Sequence, residues 1–254
     1  MNTILVGLLL SIFAGLSTAV GGLLIFLIKE PKKSYLAFSL AFATGVMITI
    51  SFIELLPEGI AVIGYKNALL TFFIGALFIF ILDYFTPHSY IMEKFPKNKD
   101  FNPKLFKVGL LVALGIAIHN LPEGFAIFAG NLSSFKFGLL IAVAIAIHNL
   151  PEGFAVSMPI YYATKNKKKA FLSAVYSGFA EPIGALIAAI VLLPFLSPKL
   201  IGASLTFVAG VMVYICIDEL LPTAYASCDG KQHNMTFAFL LGSLVMGLTL
   251  ILLS

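Results

Sequence analysis

The eleven residues Ile-Ala-Ile-His-Asn-Leu-Pro-Glu-Gly-Phe-Ala occur twice in the chain, at 116–126 and at 145–155, with no difference between the copies. The first copy carries His119, Asn120 and Glu123, and the second carries His148, Asn149 and Glu152. On a helix, His119 and Glu123 are i and i+4, about 40° apart on one face, with Asn120 on the adjoining strip. Pro122 has no amide hydrogen to donate, so the carbonyl of Ile118 loses its helical partner and the helix should bend. Gly124 lets a second helix or an ion approach closely. The same logic holds for Pro151 and Gly153. Two such helices facing one another bring two imidazoles, two carboxylates and two amide oxygens to one depth. Neutral imidazole with carboxylate suits Zn²⁺ and accommodates Fe²⁺, Mn²⁺, Co²⁺ and Cd²⁺. A lone histidine in an apolar helix is more often a hydrogen-bonded structural residue, but two identical blocks argue against that here.

The elements that position these groups are membrane spans. Of 254 residues, 60% are hydrophobic and 11% charged, and the mean hydropathy is +1.02. A soluble domain carries roughly 25% charge. Eight stretches are long enough to cross a bilayer core, at approximately 3–28, 35–63, 67–86, 107–130, 136–162, 170–194, 200–224 and 234–253. Backbone amides in lipid must be satisfied within each segment, so these are helices. Continuous apolar runs also exclude the alternating pattern of a closed barrel. The first stretch lacks a basic n-region, since the first basic residue is Lys29, and reads as a retained helix rather than a cleaved signal.

All 16 basic residues are lysines. Thirteen of them follow the first stretch or join the third to the fourth, the fifth to the sixth and the seventh to the eighth; Lys66, Lys136 and Lys199 are the others. The positive-inside rule places those loops, including the one at about 87–106, in the cytoplasm and both termini outside. The basic pI of about 9 therefore reflects topology and not nucleic-acid binding. Cys216 falls within the seventh stretch and Cys228 in a cytoplasmic loop, so no structural disulfide is expected.

The chain also repeats itself on a larger scale. Residues 39–61 and 204–226 share twelve identities in 23 positions at a constant offset of 165, including Gly45/Gly210, Glu54/Glu219 and Pro57/Pro222. A weaker match pairs residues 15–23 with 178–186 and sets Thr18 opposite Glu181. The second and seventh stretches are an odd number of crossings apart, so they run in opposite directions. An inverted repeat of this kind is used by many secondary transporters, with the site near the midplane. The expected fold is an all-α integral membrane protein of eight transmembrane helices in a 3+2+3 arrangement, one transport domain over residues 1–254, with stretches 1–3 and 6–8 around 4 and 5.

Seven acids lie inside the predicted spans: Glu54, Glu58, Glu123, Glu152, Glu181, Asp218 and Glu219. Each costs about 2.5–3.5 kcal/mol at a helix centre, on the order of 15–25 kcal/mol for the set if isolated. They must face one another, water or a cation. Glu54, Glu58, Asp218 and Glu219 read as a ladder along a transport path, or else as caps of broken helices bonded to interfacial water.

Taken together, the paired HNLPEG blocks, the inverted repeat and the external termini resemble the ZIP (Zrt- and Irt-like) family, in particular its bacterial zinc uptake permease branch, over the whole chain. The resemblance implies a two-metal centre on the fourth, fifth and sixth stretches. His119, Glu123, His148 and Glu152 would form the first site; Asn120, Asn149 and Glu181 would form the second, with Glu123 and Glu152 bridging. It also implies uptake of the metal into the cytoplasm across the cell membrane. The loop after the third stretch has only His88 near its start and lacks the histidine-rich run of many eukaryotic members. No catalytic residue or catalytic cofactor is expected: the metal ions are cargo, and the partners are those ions, the lipid bilayer and no nucleic acid, with a homodimer left open. Two other readings stand beside transport. An intramembrane metal-dependent hydrolase would use His-Glu-x-x-His with an open metal position, which this chain lacks, and a haem-binding subunit would use His119 and His148 as axial ligands.

Overall fold

The computed structural model describes residues 3–29, 32–85, 101–192 and 197–253. His88 and most of the predicted 87–106 loop lie outside the described residues. The described residues form helices and no strand. We number them α1 (Thr3–Leu23), α2 (Lys33–Ile50), α3 (Leu56–Tyr84), α4 (Pro103–Ser133), α5 (Phe135–Thr164), α6 (Lys167–Gly178), α7 (Ala180–Ile187), α8 (Pro198–Ile215), α9 (Leu221–Ser227) and α10 (Gln232–Leu253). Helix starts follow from short polar side chains that accept a free amide of the first turn. Asn102 caps α4 through the amide of Leu105 at 3.1 Å, Ser134 caps α5 through Phe137 at 3.2 Å, and Asn166 caps α6 through Lys169 at 3.0 Å. Pro103 and Pro198 occupy first-turn positions, where a missing amide costs nothing. By contrast, α4 and α5 run on through Pro122 and Pro151.

Seven helical runs are long and apolar enough to cross a membrane, which makes this a multi-pass membrane protein. The count differs from the eight stretches read in the sequence because residues 33–84 form one helical run of 52 residues. No loop separates its halves. A single residue, Gly64, leaves the helix at φ 76° and ψ 158°, a backbone conformation open in practice only to glycine. The run is not straight there. Gly59 and Thr71 both touch Thr206 of α8, although they would stand about 18 Å apart on a continuous helix. The chain therefore doubles back at Gly64.

Of three π-helical turns among the described residues, Ser51–Leu55, Ala188–Leu192 and Cys216–Leu220, the first and last differ by the offset of 165 that relates the sequence repeat. Each of these two is followed by proline, Pro57 or Pro222, whose ring cannot donate the next helical bond. The wider turn absorbs that misfit, and it carries Glu54 in one copy and Asp218 and Glu219 in the other.

Packing falls into two groups, each joined by backbone-to-backbone contact at glycine. Gly21 meets Leu150 and Gly153 meets Thr18, locking α1 to α5, while Gly124 meets Glu181 and Gly184 meets Leu121, locking α4 to α7. In the second group Gly45 and Gly242 join α2 to α10, and Gly75 and Gly210 join α3 to α8. Lipid tails are as apolar as leucine, so helices associate in a membrane through such close approach rather than hydrophobic burial. Large apolar side chains such as Leu27, Phe73 and Leu252 remain outside as the lipid-facing surface.

A Cβ at residue 153 would overlap the carbonyl of Thr18, whereas one at Gly247 would meet nothing. Gly153→Val is expected to lower stability in detergent by about 1–3 kcal/mol, read as a drop in thermal midpoint, and Gly247→Val to leave it unchanged. Equal midpoints would remove glycine contact as the basis of the α1–α5 packing.

Candidate metal centre

The crossing of α4, α5 and α7 brings seven polar side chains into the interior. His119, Asn120 and Glu123 come from α4, His148, Asn149 and Glu152 from α5, and Glu181 from the first turn of α7. Glycine sets the approach: Gly124 follows Glu123 and lies against the backbone of Glu181, so α7 enters close enough to deliver that acid. None of the seven is more than 5% exposed.

Both imidazoles converge on one carboxylate oxygen. His148 Nε2 lies 2.8 Å and His119 Nε2 3.0 Å from Glu123 Oε1. Glu152 Oε1 is 3.7 Å from His119 Nε2, and the two rings are 6.0 Å apart between centroids. In a tetrahedral zinc complex with bonds near 2.0 Å, neighbouring ligand atoms stand about 3.3 Å apart. The observed separations bracket that value.

The asparagines are oriented by helix backbone. Asn120 Nδ2 donates to the Ser177 carbonyl at 3.3 Å, and Asn149 Nδ2 donates to the Ala14 carbonyl, also at 3.3 Å. Asn149 Nδ2 also donates to Glu181 Oε2 at 2.9 Å. Asn120 is thus anchored to α6 and Asn149 to both α1 and Glu181 of α7, through their amide nitrogens. Several acceptors remain buried without a hydrogen-bond partner: Asn120 Oδ1, Asn149 Oδ1, Glu123 Oε2, both oxygens of Glu152 and Glu181 Oε1. Leaving one such group unsatisfied costs about 1–3 kcal/mol, and more when it is charged. Acceptors in excess, with no lysine among them, form the donor set a divalent cation satisfies. His119 Nε2 is near Glu123 without hydrogen-bond geometry and is free to point at an ion.

The four remaining sequence candidates fall at two other places. Glu54 is half-buried and interacts electrostatically with His148, Glu123 and His119, while Glu58, one turn on, is exposed. Asp218 and Glu219 line a cavity of about 460 Å³ on the lysine-bearing side, with Asp83, Lys33, Lys104 and Lys107. Two residues escaped the sequence reading. Asp83 sits in the last turn of α3, where an acid is unremarkable, and its ligand oxygen falls within 4.8 Å of those of Asp218 and Glu219. Thr18 was noted only as the counterpart of Glu181; its hydroxyl is fully buried without a partner. No spacing signal marks either. Cys216 and Cys228 are both free.

The profile of the family described as ZIP Zinc transporter matches residues 102–250, which contain all seven residues of the centre. The chain belongs to the ZIP family. It is similar end to end to proteins named Zinc transporter ZupT: it is 45% identical to that of Chlorobium phaeovibrioides and 42% identical to that of Oceanobacillus iheyensis, covering 100% of both chains in each case. The protein of Campylobacter jejuni under the same name is 40% identical over 98% of this chain and 97% of its own. ZIP proteins are transporters rather than enzymes, which sets the hydrolase reading aside.

Cobalt(II) reports the nitrogen ligands directly. In purified protein, bound Co²⁺ should give visible absorption that His119→Ala and His148→Ala each weaken, with affinity down at least about tenfold per lost ligand. Asn149→Ala should weaken binding less and keep the nitrogen-ligated spectrum. A spectrum indifferent to both histidines would place the ion elsewhere.

Proposed function

We propose that this chain carries zinc across the cell membrane into the cytoplasm, and that Fe²⁺, Mn²⁺, Co²⁺ and Cd²⁺ are accepted at the same centre. The observation that carries the reading is the excess of buried, unpartnered oxygens around two imidazoles, in a chain similar from end to end to proteins named as zinc transporters. Histidine and carboxylate together favour borderline metals such as zinc over Mg²⁺ or Ca²⁺, which prefer oxygen alone.

The centre takes two ions in this reading. His119, Glu123, His148 and Glu152 hold the first; Asn120, Asn149 and Glu181 hold the second, and Glu123 and Glu152 bridge them. Supporting it is the supply of acceptors, which exceeds what one tetrahedral ion uses. The chain crosses the membrane eight times, with the turn at Gly64 counted as a reversal, as a 3+2+3 inverted repeat with both termini outside. The matched π-turns support the repeat, and the clustering of lysines on alternate loops supports the orientation.

Glu54 and Glu58 then lie on the outer side of the centre, and Asp218 and Glu219 on the cytoplasmic side. Glu54 is 21 residues from the start of α2 at Lys33, about 31 Å along the helix axis, most of a bilayer core. Carboxylates at the two ends exchange the ion's water in steps. The division of packing into two glycine-locked groups supports movement of one helix group against the other as the means of alternating access.

Uptake of zinc into proteoliposomes tests the assignment. His119→Ala and Glu152→Ala should each cut the initial rate by at least about tenfold, since each removes a ligand without altering the helix crossings. Normal rates in both variants would remove this centre from the path. Run against a panel of metals, the wild-type chain should move Zn²⁺, Cd²⁺, Co²⁺, Mn²⁺ and Fe²⁺ but neither Mg²⁺ nor Ca²⁺; transport of Mg²⁺ at a comparable rate would contradict a nitrogen-containing site.

A further inference from the structure

The cavity on the lysine-bearing side holds a second polar cluster, 12 residues along α4 from His119, or about 18 Å. Ligand oxygens of Asp83, Asp218 and Glu219 all fall within 4.8 Å of one another. Glu219 lines the cavity and is only 8% exposed. It lies one turn from Cys216, which is fully buried and within electrostatic reach of Glu152 in the metal centre. The π-turn Cys216–Leu220 therefore reaches from the cluster toward the centre.

A cation already sits there. Lys107 Nζ is 2.7 Å from Asp83 Oδ1, and Lys107 is 8% exposed. A lysine at a helix end ordinarily extends its ammonium into water, as Lys33 does in its exposed pair with Asp229. Lys107 instead stays in the cavity against α3. Its ammonium is a compact point charge on a flexible stem, able to leave and return without any change in the helices.

We infer that Lys107 is the resident cation of this vestibule, holding the place among Asp83, Asp218 and Glu219 that a divalent ion would take. This rests on the transport reading above, and it adds a release step to it. An ion leaving the centre reaches three carboxylates whose charge is already partly neutralised. It exchanges with the ammonium, and the returning ammonium displaces it toward the cytoplasm. Without Lys107 the same acids would form a trap.

The test uses the full chain in detergent with His119→Ala, His148→Ala, Glu123→Gln, Glu152→Gln and Glu181→Gln, so that the centre contributes little, and Mn²⁺ as the probe, an ion suited to oxygen ligands. Free Mn²⁺ is counted by its electron paramagnetic resonance signal. Lys107→Met should bind Mn²⁺ at least about tenfold more tightly, the scale of one added charge at close range even in water, and Glu219→Gln should abolish that gain. Asp83→Asn with Lys107→Met removes one charge of each sign and should return the affinity to its starting value. With the centre intact, Lys107→Met should lower the maximal zinc uptake rate severalfold and saturate at lower zinc, while Lys107→Arg stays near the parent. Unchanged or weaker Mn²⁺ binding in a monodisperse Lys107→Met protein, or tighter binding with an undiminished uptake rate, overturns the proposal. If Lys107→Met fails to fold, Lys107→Gln is held to the same outcomes. Absence of zinc uptake by the wild-type chain would instead defeat the transport reading, and the binding measurements would still decide whether Lys107 holds the cation position.

Discussion

The structure depends on a charge imbalance kept out of water. Glu123, Glu152 and Glu181 are buried beside two asparagine oxygens, and two imidazoles are the only basic groups among them. In a soluble protein such a set would draw in solvent or a lysine. Here the surroundings are apolar helices, so the groups must share protons or hold a metal ion. Much of the packing can be understood as resistance to their separation. Glycine crossings press α1 against α5 and α4 against α7 backbone to backbone, and the Ala14 and Ser177 carbonyls each anchor one asparagine amide. A loose crossing would let the acids reach water, and the affinity for a cation would fall with the burial.

Internal symmetry explains how so few residues accomplish this. Ala14 and Ser177 are counterparts in the weaker repeat, and each accepts from the asparagine of one HNLPEG block. Gly124 and Gly153 are counterparts as well, and they meet Glu181 and Thr18, again counterparts. One arrangement is thus built twice, facing opposite ways. The exception is chemical: an acid on one side corresponds to a hydroxyl on the other. Thr18 keeps its hydroxyl buried without a partner, which gives the centre a second, weaker oxygen where symmetry would have put a carboxylate.

The helical class, the repeat and six residues of the centre were legible because each leaves a periodic or duplicated trace, whereas Glu181 has no duplicate and was expected through the family resemblance. Apolar runs have a length, the ELLP segments have an offset, and HNLPEG has a spacing. What was not legible depends on single residues in three dimensions. The break read between residues 63 and 67 falls at Gly64, but that one residue reverses the chain with no loop composition around it was not legible. The π-turns are invisible to hydropathy, since they alter hydrogen bonding without altering polarity. Asp83 lies in a terminal turn beside a lysine-rich segment, where an acid carries no penalty that would draw notice. Its significance comes from α8 and α9, more than a hundred residues away in the chain.

The inverted repeat makes Glu54 and Glu219 equivalent in sequence, yet their surroundings differ in a way that bears on direction. Glu54 is half-buried and lies within electrostatic reach of Glu58 and of the histidines and Glu123 of the centre, and no ion pair ties it to a lysine among the described residues. Glu219 instead shares a cavity with two more acids and with Lys33, Lys104 and Lys107. An approaching divalent ion is therefore attracted by uncompensated carboxylate on the Glu54 side. On the Glu219 side it meets carboxylates with ammonium groups already among them, and its attraction is smaller at every distance. Two ends with equal backbones but unequal counter-charge cannot have equal affinities. Such an asymmetry cannot drive net flux, which needs a gradient, but it does set where the ion dwells. Dwelling is favoured between Glu54 and the histidines and disfavoured beyond Glu219, which is the distribution that the inward transport proposed above would need.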